Sequence, residues 1–141
     1  NDVERVLDEV PINLLQFHGE ESQQFCSQFR VPYIKAARVR AELDLLQYAH
    51  RYGTARGLLL DAFVSGVHGG TGTTFDWNLI PSRLPLPVIL SGGLAPDNVA
   101  DAICAARPWA VDVSSGVESS PGIKDAQKMA AFIQKARDAD V

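Results

Sequence analysis

The chain reads as an α/β domain with parallel strands, a fold class that three observations carry. Strand-length apolar runs alternate with helix-length amphipathic segments along the chain. The apolar runs end in polar or glycine residues, as in "LLQFHG", "GLLLD", "VILSGG" and "AVDVSSG". With 141 residues, 46% apolar and 21% charged, the chain can bury one core, and residues 1–141 are expected to form a single domain.

The opening "NDVERVLDEV" spaces Val3, Val6, Leu7 and Val10 at helical intervals and predicts a helix. A short buried strand follows in "NLLQFHG". Next comes a helix in "EESQQFCSQF", with Phe25, Cys26 and Phe29 on one side and Glu20 and Glu21 near its start, where acids suit the helix dipole. "VPYIKAARV" predicts a strand, because Pro32 can only begin or edge one, and "AELDLLQYAHRYG" predicts a helix stopped by Gly53. "ARGLLLDAF" is the third strand, a glycine-rich loop intervenes, and "FDWNLI" predicts a short helix before Pro81. "LPVILSGG" reads as a strand with its polar end at Ser91, and "APDNVADAICAAR" as a helix with Pro96 near its first position. "WAVDVSSG" is the fifth strand and "KDAQKMAAFIQKARDA" a terminal amphipathic helix. Five apolar strands, each followed by a helix or by a loop and helix, imply parallel strands covered by helices. An open doubly wound sheet and a (β/α)8 barrel both fit, and both place function at the C-terminal strand ends.

Composition narrows the chemistry. Thirteen basic residues against 17 acidic, a net charge of −4 and no long run of either sign argue against a nucleic-acid or membrane-surface partner and favour a small molecule. Only Cys26 and Cys104 occur, with no CxxC or Cys/His cluster, so neither a disulfide framework nor a metal site is expected. The apolar runs are far shorter than the roughly 18 residues of a membrane span. No signal segment opens the chain, and a cytoplasmic location is expected.

Reading along the strand ends collects Gln16 and His18, Lys35 and Arg38, Asp61, Ser91-Gly92-Gly93, and Asp112 with Ser114-Ser115-Gly116 on one expected rim. The loop "GVHGGTGTTFDW" is not a P-loop, because Thr73 follows Gly72 where a lysine would reach the phosphates. It is not a dinucleotide fingerprint either, since Gly70-Thr71-Gly72 lies well beyond Asp61 and Phe75 stands in place of a glycine. "LSGGL" and "VSSGVE" put small residues directly after apolar strands, where backbone N–H groups can approach an anion. As consecutive loops at the end of the chain they match the phosphate site of barrels, whereas each alone would be a tight turn. Asp61 closes an apolar run and has a partner, a ligand or a proton to move, unless it caps a helix. Asp112 carries the same two readings, and His18 is open either to a satisfied hydrogen-bonded role or to a site role.

Together "LLQFHGEE", "GLLLDAF", "GGTGTTFDW", "PVILSGGLAPDNV" and "WAVDVSSGVESSPGIKD" closely resemble phosphoribosylanthranilate isomerase of tryptophan biosynthesis, from Asn1 to the end of the chain. The resemblance implies a (β/α)8 TIM barrel that opens the ribose of N-(5-phosphoribosyl)anthranilate and tautomerises it by an Amadori rearrangement to 1-(2-carboxyphenylamino)-1-deoxyribulose 5-phosphate. No metal or cofactor is implied. Asp61 takes the place of the family's general acid, and burial at an apolar strand end helps a carboxyl keep a proton to give. Gly92, Gly93, Ser115 and Gly116 would hold the phosphate. His18, Asp112 and Gly70 would line the substrate, with Asp112 facing the opened sugar. The glycine loop would fold over the site, with Phe75 and Trp77 anchoring its far end. Thr73 or Thr74 stands where many members have a lysine.

One departure qualifies these expectations. The family's general base is a cysteine in an N-terminal Lys-Ile-Cys-Gly-Ile-Thr strand, and an early arginine contacts the anthranilate carboxylate; neither stretch is present. Cys26 and Cys104 both read as small thiols on apolar helix faces. The chain starts without Met and in a helix, so it is expected to be a truncated chain covering about the last five βα units and the preceding helix. Alone it is expected to be inactive; the complete enzyme is expected to be a monomer or homodimer. The alternatives are a non-catalytic partial barrel that binds phosphorylated sugars, and a barrel of the tryptophan synthase α-subunit type.

Overall fold

The computed structural model describes residues 2–62 and 74–139. Helix α1 spans Asp2–Glu9, β1 Leu15–Phe17, α2 Gln23–Ser27, β2 Tyr33–Val39, α3 Leu45–Arg51 and β3 Gly57–Ala62. After the glycine loop come a 3-10 turn at Trp77–Leu79, β4 at Val88–Leu90, α4 at Val99–Ala106 and β5 at Ala110–Val111. A second 3-10 turn, Ser115–Val117, leads into a small antiparallel hairpin of β6 (Glu118–Ser120) and β7 (Ile123–Lys124), and α5 (Ala126–Ala139) closes the described chain.

All five expected strands form, and they pair in parallel in the order β1-β2-β3-β4-β5. Strand order therefore follows chain order with no reversal. A doubly wound sheet needs a reversal, at the point where its ligand crevice opens. Among the described residues the sheet does not close on itself, and β1 and β5 are its edges. No helix among these residues is long and apolar enough to cross a membrane.

Alternation of side chains divides the sheet into two faces. Tyr33, Ala37, Val39, Leu58, Leu60 and Leu90 face the helices and pack against Cys26, Phe29, Leu45, Ala49, Val99 and Phe132. On the other face Ile34, Ala36 and Leu59, with Ile89 against them, form a smaller apolar layer. Phe75 and Trp77 pack into the clusters under β4, so the far end of the glycine loop is anchored as expected.

Helix boundaries moved where capping chemistry overrode periodicity. Asp44 accepts the N–H of Gln47, so α3 starts later than "AELD" suggests. Pro96 lies in a turn ahead of α4, which starts at Val99. Glu20 and Glu21 also precede their helix, because Ser22 is the N-cap of α2. Cys104 is exposed, against expectation. Val99, Ala102, Ile103 and Ala106 make the inward stripe of α4 at i, i+3, i+4 and i+7, and Cys104 falls beside it.

Candidate active site

The strand registers build the site. Arg38 stands opposite Asp61 across β2 and β3. Leu60 pairs with Leu90 and Leu90 with Val111, so the next residues, Ser91 and Asp112, continue the same row beside Asp61. His18 directly follows β1. One residue pair deeper lie Ala36, Leu59 and Ile89 of the apolar layer, so His18, Arg38, Asp61, Ser91 and Asp112 form a polar tier at the C-terminal strand ends above an apolar floor. The expected rim exists for these five.

Asp61 is the buried member, with its residue 7% exposed. Its Oδ1 accepts the N–H of Ala62 at 2.8 Å, which fixes the carboxyl rotamer. Its Oδ2 lies 3.5 Å from His18 Nε2. Among the described residues that imidazole nitrogen has no hydrogen-bond partner, although it is buried. Asp112 caps no helix among the described residues, and its Oδ2 accepts a 3.0 Å hydrogen bond from Ser91 Oγ.

The two small-residue loops meet beside this tier. Gly92 and Gly93 have φ of +84° and +65°, conformations that β-carbons oppose. A Cβ on Gly92 would sit 2.7 Å from Asp61 Oδ1, so this glycine lets the loop lie directly on the carboxyl. A Cβ on Gly116 would strike the Leu94 carbonyl, so the loop after β5 presses on the loop after β4. The N–H groups of Gly93 and Leu94 donate to none of the described residues. Asn98 latches the first loop by accepting from Ala95 N–H at 2.8 Å and donating to Gly93 O at 3.0 Å. Lys124 holds the second by donating to Ser114 O at 2.8 Å while paired with Glu118 at 2.7 Å. Neither latch was foreseen. Asn98 was signalled by the turn-forming "APDN", and the hairpin that carries Lys124 by "PG" in "SSPGIK". Gly70 and most of "GGTGTT" lie outside the described residues.

Lys35 departs from the expected rim. It is three residues before Arg38 and so points to the opposite, helix-facing side of β2, where it is fully buried beneath Tyr52. Its Nζ donates to Gly19 O at 2.6 Å and to Glu21 Oε2 at 3.2 Å. Burial disfavours the charge on Glu21, but backbone N–H groups and Lys35 outweigh it and hold the carboxyl below its ordinary range. Near this pair Cys26 is fully buried, and burial pushes its thiol upward despite the nearby lysine, so the neutral thiol is favoured. No group of three or more His, Cys, Asp or Glu among the described residues could hold a metal ion.

A carboxyl and an imidazole 3.5 Å apart over an apolar floor, flanked by two glycine loops, can pass protons to a ligand whose anionic end sits on backbone N–H groups. The sequence model described as N-(5'-phosphoribosyl)anthranilate (PRA) isomerase matches residues 1–135. The N-(5'-phosphoribosyl)anthranilate isomerase of Thiobacillus denitrificans is 63% identical over 135 residues, which cover 96% of this chain and 66% of that protein. The crystal structure of the Thermotoga maritima isomerase superposes with a TM-score of 0.84 at 41% identity, covering 98% of this chain and 69% of that one. A crystal structure of such an isomerase in complex with reduced 1-(o-carboxyphenylamino)-1-deoxyribulose 5-phosphate gives a TM-score of 0.80 at 40% identity, covering 98% and 68%.

Proposed function

The chain belongs to the N-(5'-phosphoribosyl)anthranilate isomerase family, and from that premise we propose that the whole protein converts N-(5-phosphoribosyl)anthranilate to the corresponding deoxyribulose phosphate. The observation that carries the reading is Asp61, buried in the polar tier with one oxygen fixed by Ala62 N–H and the other aimed at His18. Protonated Asp61 gives its proton to the ribose ring oxygen, and the C1–O bond breaks as the anthranilate nitrogen supplies its lone pair. A base then takes the proton from C2, and the resulting enolamine ketonises to the product. Asp112, oriented by Ser91, faces the opened sugar, and His18 lies against the substrate beside Asp61.

The phosphate rests on the loops of Gly92-Gly93 and Ser115-Gly116, which pack against each other where Gly116 meets the Leu94 carbonyl. Gly70, which lies outside the described residues, is assigned to substrate binding on the family resemblance alone. The base is neither cysteine of this chain: Cys26 is buried on the helix side of the sheet, and Cys104 is on the outer face of α4. Unreversed strand order supports a (β/α)8 barrel, and the family resemblance carries the reading of a cytoplasmic, cofactor-free monomer or homodimer.

Asp61→Asn tests the reading in the whole protein. The amide fills the same space without a catalytic proton, so turnover should fall by about 10²–10⁴-fold while binding of a reduced product analogue stays within a few-fold. Wild-type turnover would remove Asp61 from the mechanism. Analogue binding by the unmutated protein without any turnover would favour the non-catalytic, sugar-phosphate-binding alternative.

A further inference from the structure

The His18 imidazole has no hydrogen bond of its own among the described residues, so its distance from Asp61 is set by the backbone that carries it. That backbone is held from both faces of β2. On the helix side Lys35 directs its ammonium to Phe17 O at 3.4 Å, Gly19 O at 2.6 Å and Glu21 Oε2 at 3.2 Å. An ammonium has three donors, and all three acceptors lie in the five residues centred on Gly19. Glu21 Oε2 also takes the N–H of Gly19 at 2.9 Å, and Tyr52 Oη donates to Glu21 O at 2.9 Å. From the open face Arg38 Nη2 reaches His18 O at 3.4 Å. The carbonyls of residues 17, 18 and 19 are thus each approached by a cation of β2.

Resting on the functional reading above, we propose that Lys35, Glu21 and Arg38 form a clamp that positions His18 against Asp61, with Lys35 as a positioning residue that never touches substrate. A structural role alone does not account for this arrangement. A buried ammonium is expensive to desolvate, and an apolar side chain of similar length would fill the space under Tyr52 at lower cost. What the cation adds is direction, because it gathers the turn after β1 around one point and leaves the His18 side chain facing the site.

The test is Glu21→Gln in the whole protein, with Lys35→Met beside it. The glutamine keeps the shape and an acceptor for Gly19 N–H but loses the ionic tie, and Glu21 is partly exposed, so folding is expected to survive. The readouts are the ¹⁵N resonances of the His18 imidazole, the split of kcat from KM, and the binding of inorganic phosphate. The clamp requires the His18 signals to move, kcat to fall by about tenfold with KM within twofold, and phosphate binding to hold. Lys35→Met, if it folds, should show the larger change in the same signals. Unmoved His18 signals in Glu21→Gln overturn the clamp. Shifted signals with wild-type kcat overturn its role in the reaction. Failure of the functional reading shows differently, as wild-type turnover in Asp61→Asn, whatever the imidazole signals report.

Discussion

Replacing Gly92 by alanine adds one methyl at the point where the loop after β4 lies on Asp61, and the structure sets the expected cost. Two penalties add. At φ +84° an L-residue carries strain of about 1–2 kcal/mol. The new Cβ would also lie 2.6 Å from Ala62 N and 2.7 Å from Asp61 Oδ1, well inside the 3.4 Å at which ordinary contact begins. Overpacking of this kind costs about 1–3 kcal/mol, and the obstacle is backbone on one side and a fixed carboxyl on the other. Gly122→Ala is the matched control, because Gly122 has φ +81° but nothing within 4 Å of its Cβ position. It carries strain without contact. Urea unfolding of the two variants in the whole protein should therefore differ by about 1–3 kcal/mol, or about 1 M in midpoint at ordinary m-values. Turnover should separate them further, since a displaced proton donor costs about 10–100-fold while a Cβ at Gly122 meets nothing within 4 Å. Equal midpoints and equal kcat for the two alanines would refute both the close approach of Gly92 and the placement of Asp61 in the reaction.

Gly116→Val should raise KM by about tenfold, equivalent to about 1.4 kcal/mol, because its Cβ strikes the Leu94 carbonyl and parts the two loops; an unchanged inhibition constant for a ribulose-phosphate analogue would count against the phosphate assignment. Glu21 is held below its ordinary pKa in the folded state, so it contributes stability above the unfolded value of about 4.3 that is lost as pH falls through the lower, folded value. Urea midpoints from pH 6 to 3 should accordingly drop less steeply in Glu21→Gln than in the wild type. The 141-residue chain expressed alone should not stay a monomer in light scattering, because among the described residues β1 and β5 are open sheet edges and Trp109 beside β5 is 77% exposed. A monodisperse monomer would overturn the expectation that these edges pair with another chain.

Local pattern was enough to read the five strands of the parallel sheet and the five α-helices, since apolar runs and helical spacing need no knowledge of distant residues. It was less sufficient at boundaries. Asp44 and Ser22 cap helices that periodicity alone would start earlier, and a cap depends on a hydrogen bond three residues away rather than on the apolar stripe. The β6–β7 hairpin was missed because its strands are too short and polar to show alternation, leaving only the Pro121-Gly122 turn as a signal.

Strand ends named His18, Arg38, Asp61 and Asp112 as site candidates, because parallel α/β sheets gather polar groups at that edge whatever their partners are. Which groups share a face is another matter. Lys35 looked like a rim residue by position along β2, yet an odd separation from Arg38 sends it through the sheet to the helices, where it grips the turn that carries His18. The 3.5 Å between His18 and Asp61, the serine that orients Asp112, and the contact that makes Gly92 indispensable all join residues 20 or more positions apart. Periodicity records only which way a side chain faces along its own element. Register between strands, set by the packing of every helix against the sheet, decides which of those side chains meet.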